Sequence, residues 1–377
     1  MKWRIAWLVV ALLSPWSQQA EAARKPAEPS PPTLQDLATR AVPVDRAQPV
    51  TADPDQAARS YEDFLKIEGS DPALRAQALR RVGDLRLAEA ESLRGEEGTS
   101  SADAVAAARQ AIAAYQRLLE DYPEYPSTDA VLYQLARAWD TAGDPAQALS
   151  ALDELVTRYP KTPHYDEAQF RRGETYFSLQ RYADAERAYA AVLAVKPESE
   201  FYEQALYKRG WSLFKLSRDE ESSESFLTLL DRVLVVDGKV RPLSQLSRPE
   251  RELTEDTLRA LSLMFIASDG PVSLQAALAA HGTVPYESQL YGALGELYVE
   301  KERYQDGAEA YRAFSRRQPM SPDAPLLLGR ATDAYAKGGF TSLVLESKAE
   351  LVEQYGPTSA YWRAHPTDLD PRVSTAV

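Results

Sequence analysis

Residues 165–197, YDEAQFRRGETYFSLQRYADAERAYAAVLAVKP, decide the fold because their pattern returns along the chain at a spacing of 37 residues. In this stretch Ala185, Tyr189 and Val192 lie on one helical face, and Pro197 closes the unit. The matching residues of the other copies are Ala111, Tyr115, Leu118 and Pro123; Ala148, Leu152, Leu155 and Pro160; and Ser222, Phe226 and Leu229. Self-similarity at a fixed period of this length is typical of a solenoid.

A second amphipathic segment precedes each of these copies in the same register. Its members are Leu132, Ala136 and Trp139; Gln169, Gly173 and Tyr176; and Leu206, Gly210 and Leu213. Apolar residues at this spacing share one face of a helix, so each unit reads as a pair of helices that bury their faces by stacking. Glycine inside a helix costs about 1 kcal/mol relative to alanine. We therefore expect the partner helix to approach closely at Gly173 and Gly210.

These residues resemble the tetratricopeptide repeat. Its order of bulky, small, aromatic, alanine, aromatic and proline positions is met by Gln169, Gly173, Tyr176, Ala185, Tyr189 and Pro197, with Gln169 as a polar departure. It recurs at Tyr291, Leu294, Gly295, Tyr298, Gly307, Tyr311, Phe314 and Pro319, with Gly307 where alanine is usual. The resemblance implies an all-α, right-handed superhelical solenoid of antiparallel helix pairs.

The linkers are longer than in the common 34-residue repeat. In this they resemble the repeats of Gram-negative envelope proteins, such as the lipoprotein of the outer-membrane barrel-assembly machine and the Tol-Pal-associated division coordinator. The formal net charge of −13 argues against nucleic acid and anionic membrane surfaces as partners. The chain contains no cysteine, which excludes disulfides, thiolate metal sites and the lipid-modified amino terminus of a lipoprotein.

The amino terminus reads as a secretory signal peptide. Lys2 and Arg4 precede an apolar run over 5–13, and Ala20 and Ala22 form a small-x-small cleavage site before Ala23. The run is too short to span a bilayer, which needs about 20 residues. We expect cleavage after Ala22, location in the periplasm and no transmembrane anchor in the mature protein.

The rest of the chain divides by composition. The predicted segments are a signal peptide at 1–22, a proline-rich tether at 23–52 with a short helix at 33–41, a repeat array at 53–235, a loop at 236–249, a continued array at 250–356 that begins with one degenerate pair, and a tail or incomplete cap at 357–377. At the carboxyl end two readings stay open. Either Tyr361 and Trp362 fold back over the last pair, or the chain is a shortened version of a longer protein.

Motifs for chemistry are absent from the sequence. His164, His281 and His365 are far apart and lack metal-ligand neighbours at helical spacing. There is no phosphate-binding loop and no nucleophile elbow. We expect no cofactor, no metal, no catalytic residue and no enzymatic activity.

A binding groove is the remaining candidate site. The resemblance implies that the first helix of each pair lines a concave groove, with Tyr133, Phe170 and Tyr207 at one position, Arg137, Glu174 and Trp211 at another, and Phe177 and Phe214 at a third. Arg137, Arg171 and Lys208 are placed at its rim. Aromatic and arginine anchors suit an extended peptide with apolar and acidic groups. Alternatively, these rings pack between neighbouring pairs as core.

The sequence therefore favours a non-enzymatic periplasmic scaffold that binds proteins or peptides of the cell envelope. The alternative is a saccharide- or peptidoglycan-associated module of an envelope or polysaccharide-export machine, in which the aromatic row stacks on sugar rings.

Overall fold

A computed structural model describes residues 53–95 and 101–365. The chain separates into two units, 1–51 and 52–377, and all described residues belong to the second. The predicted signal peptide with Ala20, Ala22 and Ala23, the tether at 23–52 and the end of the tail at 366–377 lie outside the described residues.

The described residues are almost entirely helical, which confirms the all-α prediction. Successive helices pack against one another in chain order, as in a solenoid. The elements are α1 Pro54–Leu65, α2 Pro72–Gly95, α3 Ser101–Asp121, α4 Thr128–Ala142, α5 Pro145–Arg158, α6 Tyr165–Ser178, α7 Tyr182–Leu193, α8 Tyr202–Lys215, α9 Asp219–Leu234, β1 Val235–Val236, β2 Lys239–Val240, α10 Arg248–Ala267, α11 Pro271–His281, α12 Glu287–Glu300, α13 Tyr304–Arg317, α14 Ala324–Lys337, α15 Thr341–Tyr355 and α16 Ala360–Ala364.

Local signals set the turn between α4 and α5. Gly143 ends α4 in the left-handed region at φ 80°, where a side chain would be strained. Asp144 then caps α5 by accepting a hydrogen bond from the backbone of Gln147 at 3.1 Å, and Pro145 occupies the first turn. Two helices can therefore reverse direction within a single short connection.

The two helices of a pair meet where a glycine faces an aromatic ring, which confirms the predicted close approach. The pairs are Gly83 with Tyr115, Gly173 with Tyr189, Gly210 with Phe226 and Gly295 with Tyr311. A Cβ atom on any of these glycines would lie between 2.4 and 2.7 Å from a ring carbon. Tyr115, Tyr189 and Phe226 are at most 1% exposed. Ring burial against bare backbone therefore compensates for glycine's poor helix propensity.

Positions that depart from the repeat pattern are satisfied locally. Ser222, at an alanine position, is fully buried, and its Oγ donates to the backbone oxygen of Gly210 at 2.8 Å. Gln169 is also buried, and its Oε1 accepts from Arg172 at 2.6 Å. Gly307 is required by crowding, because a Cβ there would lie 2.8 Å from Val299.

The segment at 236–249, predicted as a loop, contains regular structure. β1 and β2 form an antiparallel hairpin with Val235 opposite Val240 and Val236 opposite Lys239. Asp237 and Gly238 connect them at φ 51° and 73°, the paired positive angles of a tight hairpin turn. A short 3₁₀ turn, Leu243–Gln245, follows, and α10 begins at Arg248, two residues before the predicted start.

The degenerate pair, α10 and α11, is built differently from its neighbours. α10 packs extensively against α12, the first helix of the next pair, and only lightly against α11. In the regular pairs α6–α7 and α12–α13 the two helices instead pack extensively on each other. α11 is thus a short outlying helix, anchored in the core by Leu274 and Leu278.

The described part of the carboxyl end folds back over the last pair. Tyr361 on α16 is 1% exposed, and its ring meets Tyr355 edge to face at 5.0 Å. Trp362 donates from Nε1 to the backbone oxygen of Tyr355 at 2.5 Å. These aromatic residues cover the end of the core at α15.

Candidate partner-binding groove

Three first helices carry the predicted groove residues. The predicted groove residues are Tyr133 and Arg137 on α4, Phe170, Arg171 and Glu174 on α6, and Tyr207, Lys208 and Trp211 on α8. Two adjoining cavities of about 370 and 460 Å³ run along α4 and α6 and share Asp140 and Arg171. Arg137 lines the first cavity, and Phe170 and Glu174 line the second. The repeat register therefore brings these predicted residues to one continuous surface.

The ring of Tyr133 is buried and does not form part of this surface. It is only 5% exposed, and its ring stacks on His164 at 4.6 Å with an interplanar angle of 3°. Arg137 and Arg171 flank the same ring, with their guanidinium carbons 6.0 and 5.8 Å from its centre. Burial raises the pKa of Tyr133 to about 12. Its predicted role as a groove anchor is corrected to that of a packed residue, because the α5–α6 linker places His164 over it.

The arginines predicted at the rim are already paired with carboxylates. Arg137 on α4 binds Glu91 on α2, with Nη2 2.6 Å from Oε1. Arg171 on α6 binds Glu167 at 3.0 Å and reaches Asp140 on α4 at 4.0 Å. Each arginine thus joins its helix to the preceding first helix.

Lys208 forms a third ion pair between first helices. The charge ladder is this series of ion pairs, Glu91 with Arg137, Asp140 with Arg171 and Glu174 with Lys208. Its Nζ on α8 lies 2.9 Å from Oε2 of Glu174 on α6. The same contact recurs later, where Arg330 on α14 binds Glu296 on α12 at 2.7 Å. Both pairs are separated by 34 residues. Arg137, Arg171 and Lys208 are thus partly exposed, and each also has an internal carboxylate partner.

The acidic residue that follows an interhelical glycine accepts a hydrogen bond from the hydroxyl group of the tyrosine that faces the glycine. Tyr189 packs over Gly173 and donates to Glu174, the next residue along α6. Tyr115 packs over Gly83 and donates to Asp84 at 2.8 Å. Burial, followed by the hydrogen bond to Glu174, raises the pKa of Tyr189 far above its usual value. The acid after the glycine therefore links the inner core to the groove surface.

The α8 section of the groove is aromatic. Phe226 replaces tyrosine over Gly210 and has no hydroxyl group to donate, and the residue after this glycine is Trp211 instead of an acid. Trp211 meets Tyr207 at 6.4 Å and Phe214 at 5.8 Å, both edge to face. All three rings are half-buried against the core.

Phe170 and Phe177 are also half-buried, but other rings cover them in part. Phe170 stacks on Phe201 from the α7–α8 linker at 5.2 Å. Phe177 meets Tyr182 edge to face at 5.3 Å, and Nζ of Lys208 lies 5.9 Å from its centre. Both rings thus serve packing and leave only part of their surface to the groove.

The histidines have structural partners. His164 stacks on Tyr133, His281 lies between two carboxylates, and His365 packs on Tyr361. Over 53–95 and 101–365, no group of three or more histidine, aspartate or glutamate side chains is arranged to hold a metal ion.

Among the described helices, none is by itself long and apolar enough to cross a membrane. α10 and α11, bent by 119° at their junction, meet the length and composition criteria only as a pair.

A sequence profile of the tetratricopeptide repeat family matches residues 101–163, 133–200, 170–233 and 293–333. The chain contains tetratricopeptide repeats. The unmatched stretch at 234–292 holds the hairpin, α10 and α11, where the pairing of helices departs from the regular repeats. The tetratricopeptide repeat fold is typically a scaffold for protein–protein interaction.

Solved structures similar to the chain include the following two. A tetratricopeptide repeat protein from Parabacteroides merdae matches 70% of this chain and 86% of its own, at 17% identity and a TM-score of 0.40. MamA matches 53% of this chain and 93% of its own, at 16% identity and a TM-score of 0.32. No curated protein sequence matches the chain.

Sequence reasoning missed the charge ladder and the role of the acids after the glycines. A usable signal was present, because Glu174 with Lys208 and Glu296 with Arg330 repeat opposite charges at one separation. The type of ring that faces each glycine also indicates which residue follows the glycine. Where the ring belongs to tyrosine, the following residue is an acid, namely Asp84, Glu174 or Glu296.

Proposed function

We propose that this protein is a non-enzymatic periplasmic scaffold whose tetratricopeptide groove binds protein partners of the cell envelope. The observation that carries the proposal is the half-buried aromatic cluster of Tyr207, Trp211 and Phe214 on α8, where the neighbouring Lys208 binds Glu174 in the wall of the cavity along α6. Aromatic side chains of this kind supply most of the binding energy at protein interfaces. The periplasmic location is supported by the signal-peptide pattern over 1–22.

The partner binds mainly through apolar groups. Arg137, Arg171 and Lys208 already hold internal carboxylates. An acidic partner would have to share these cations with Glu91, Glu167 and Glu174, whereas an apolar side chain can pack on Trp211 without affecting the ion pairs. The edge-to-face cluster of Tyr207, Trp211 and Phe214 suits apolar side chains, because aromatic anchors of this kind dominate binding energy at protein interfaces.

The test compares envelope proteins retained by the wild-type protein, Tyr207→Ala and Tyr61→Ala. Tyr61 is a matched control, because it is a tyrosine 37% exposed on α1 and lines neither of the two cavities along α4 and α6. We expect Tyr207→Ala to weaken binding by about 2 kcal/mol or more at nearly unchanged melting temperature. Tyr61→Ala should bind as the wild type does.

Two further measurements decide the remaining parts of the proposal. Trp211 fluorescence is titrated with the retained protein and, separately, with peptidoglycan fragments, using Trp211→Phe as the blank. A response to the fragments alone would favour the saccharide-binding alternative. Amino-terminal sequencing of protein released by osmotic shock should begin at Ala23, and a retained Met1 would contradict export by a cleaved signal peptide.

A further inference from the structure

His281 joins α11 to α9 through both nitrogen atoms of its ring. Nδ1 lies 2.7 Å from Oε2 of Glu224, and Nε2 lies 2.8 Å from Oδ2 of Asp231. An ionised carboxylate only accepts hydrogen bonds, and only the protonated imidazolium has two N–H donors. The side chain is 10% exposed, so water replaces these bonds poorly. This geometry therefore requires a charged His281.

The rest of α11 is weakly held. The helix packs lightly on α9, α10, α12 and α13, and its sequence PVSLQAALAAH has no charged side chain before His281. Leu274 and Leu278 are its buried anchors. His281 is thus the charged contact that fixes the carboxyl end of this helix.

Tyr286 holds Asp231, one of the two carboxylates that accept hydrogen bonds from His281. It follows α11, and its hydroxyl oxygen lies 2.7 Å from Oδ1 of Asp231 and 3.1 Å from the backbone oxygen of Leu227, so its one hydrogen donates to the nearer Asp231. Asp231 is therefore held in place whether or not His281 is charged.

We propose that His281 is a proton-dependent latch that holds α11 against α9 and releases it when the imidazolium loses its proton. Neutral His281 can donate to only one of the two carboxylates and presents a lone pair to the other. α11 then loosens from its carboxyl end, and the apolar surface beneath Leu274 and Leu278 becomes accessible. The device lies in the degenerate pair, where α10 already packs on α12 and the array stays connected without α11.

The charged surroundings support this assignment. Burial lowers the pKa of His281, but hydrogen bonds to Glu224 and Asp231 outweigh it, and the pKa is raised above the ordinary 6.5. Thr228 donates to Glu224 at 3.5 Å and does not titrate in this range. On the α13 side a cavity beside Val272 and Gln275 is lined by the charged residues Asp269, Arg303, Asp306, Glu309, Arg316 and Arg317. Histidine is the side chain whose ordinary pKa lies nearest neutrality, so His281 is the group expected to change its charge there.

The direction of the effect follows from the raised pKa. Stabilisation by the latch is fully present below the unfolded-state pKa of about 6.5 and is lost as the pH rises through the higher folded-state value. The latch is therefore closed in acid and opens in alkali.

Hydrogen exchange of α11 amides tests the proposal, with protection factors corrected for the intrinsic effect of pH. In the wild type we expect protection in α11 to fall about tenfold between about pH 5.5 and about pH 9, since hydrogen bonds to charged groups contribute on this scale. Protection in α7 should stay constant. His281→Gln should show low α11 protection at both pH values, and His281→Lys should lose less protection than the wild type at the higher pH.

His164→Gln is the matched control, because that ring stacks on Tyr133 away from α11. It should leave the α11 profile unchanged. An NMR titration of the His281 imidazole in the wild-type protein gives an independent reading that needs no variant. A pKa at or below 6.5, or wild-type α11 protection that does not change with pH, would overturn the latch.

Discussion

A glycine that faces an aromatic ring is the unit that fixes how two helices of a pair meet. The contact needs both members, because the ring occupies the space where a Cβ atom would lie. Alanine at such a glycine improves helix propensity by about 1 kcal/mol but forces the ring aside. Overpacking a tight core costs about 1–3 kcal/mol.

Two glycines on α12 separate these effects. Gly295→Ala should lower the free energy of unfolding by about 1–2 kcal/mol, because the new Cβ would lie 2.4 Å from Tyr311. Gly292→Ala on the same helix should be neutral or stabilising by up to about 1 kcal/mol, since its nearest atom is Nη1 of Arg330 at 3.8 Å. Chemical denaturation of both variants measures the difference. Equal stabilities would show that the Gly295 contact does not fix the pair.

At the scale of elements, α10 depends on its amino-terminal cap. Ser247 and Glu250 form a reciprocal capping box, and Glu250 also binds Arg241 from the end of the hairpin at 3.0 Å. These contacts tie the hairpin to the first turn of α10. The hydrogen bond from Arg241, followed by those from Ser247, lowers the pKa of Glu250 to about 2.

Because the pKa of Glu250 is lowered, the stability that the cap contributes depends on pH. Its stabilisation is present above the unfolded-state pKa of about 4.5 and is lost as the pH falls towards about 2. Glu250→Gln should therefore lower the melting temperature near pH 7, by the equivalent of at most about 1 kcal/mol because the site is exposed, and the difference should vanish near pH 2. Glu255→Gln, an exposed carboxylate on the same helix, should show little change. A Glu250→Gln difference that is constant with pH would rule out the charged cap.

The elements also show where sequence reasoning succeeds. Period and apolar spacing predict the helix pairs and the glycine contacts, because these depend on residues within one unit. The hairpin was missed although Asp237 and Gly238 carry its turn signal, because the surrounding prolines and polar residues favour a loop. For Tyr133 the sequence left the groove and the core both open, because His164 reaches it from the following linker, which a pattern along one helix does not reveal.

Across the whole molecule, the sequence predicts which helices carry the candidate groove but not which carboxylates pair with its cations. The repeat register places Phe170 and Arg171 on one surface with Lys208 nearby. It does not give the partner of each cation, because Glu91, Asp140 and Glu174 come from the preceding first helices. Which charges remain available to a partner depends on how neighbouring pairs stack.

The tyrosines that pack in this core also set how much alkali the fold tolerates. Burial raises the pKa of Tyr133, Tyr291, Tyr311 and Tyr355 to about 12, and that of Tyr115, Tyr189 and Tyr286 further still. A raised pKa means that stability is complete below the unfolded-state value of about 10 and is lost as the pH rises through the folded-state values.

Ultraviolet absorbance should therefore resolve two populations of phenol during an alkaline titration. Tyrosines that are exposed to solvent should form phenolate first, while the buried set should ionise only together with the loss of helical circular dichroism. Full phenolate absorbance before the helical signal falls would contradict this. The ultraviolet absorbance of the tyrosine rings that pack against glycine should therefore report the unfolding of the solenoid by base without an added label.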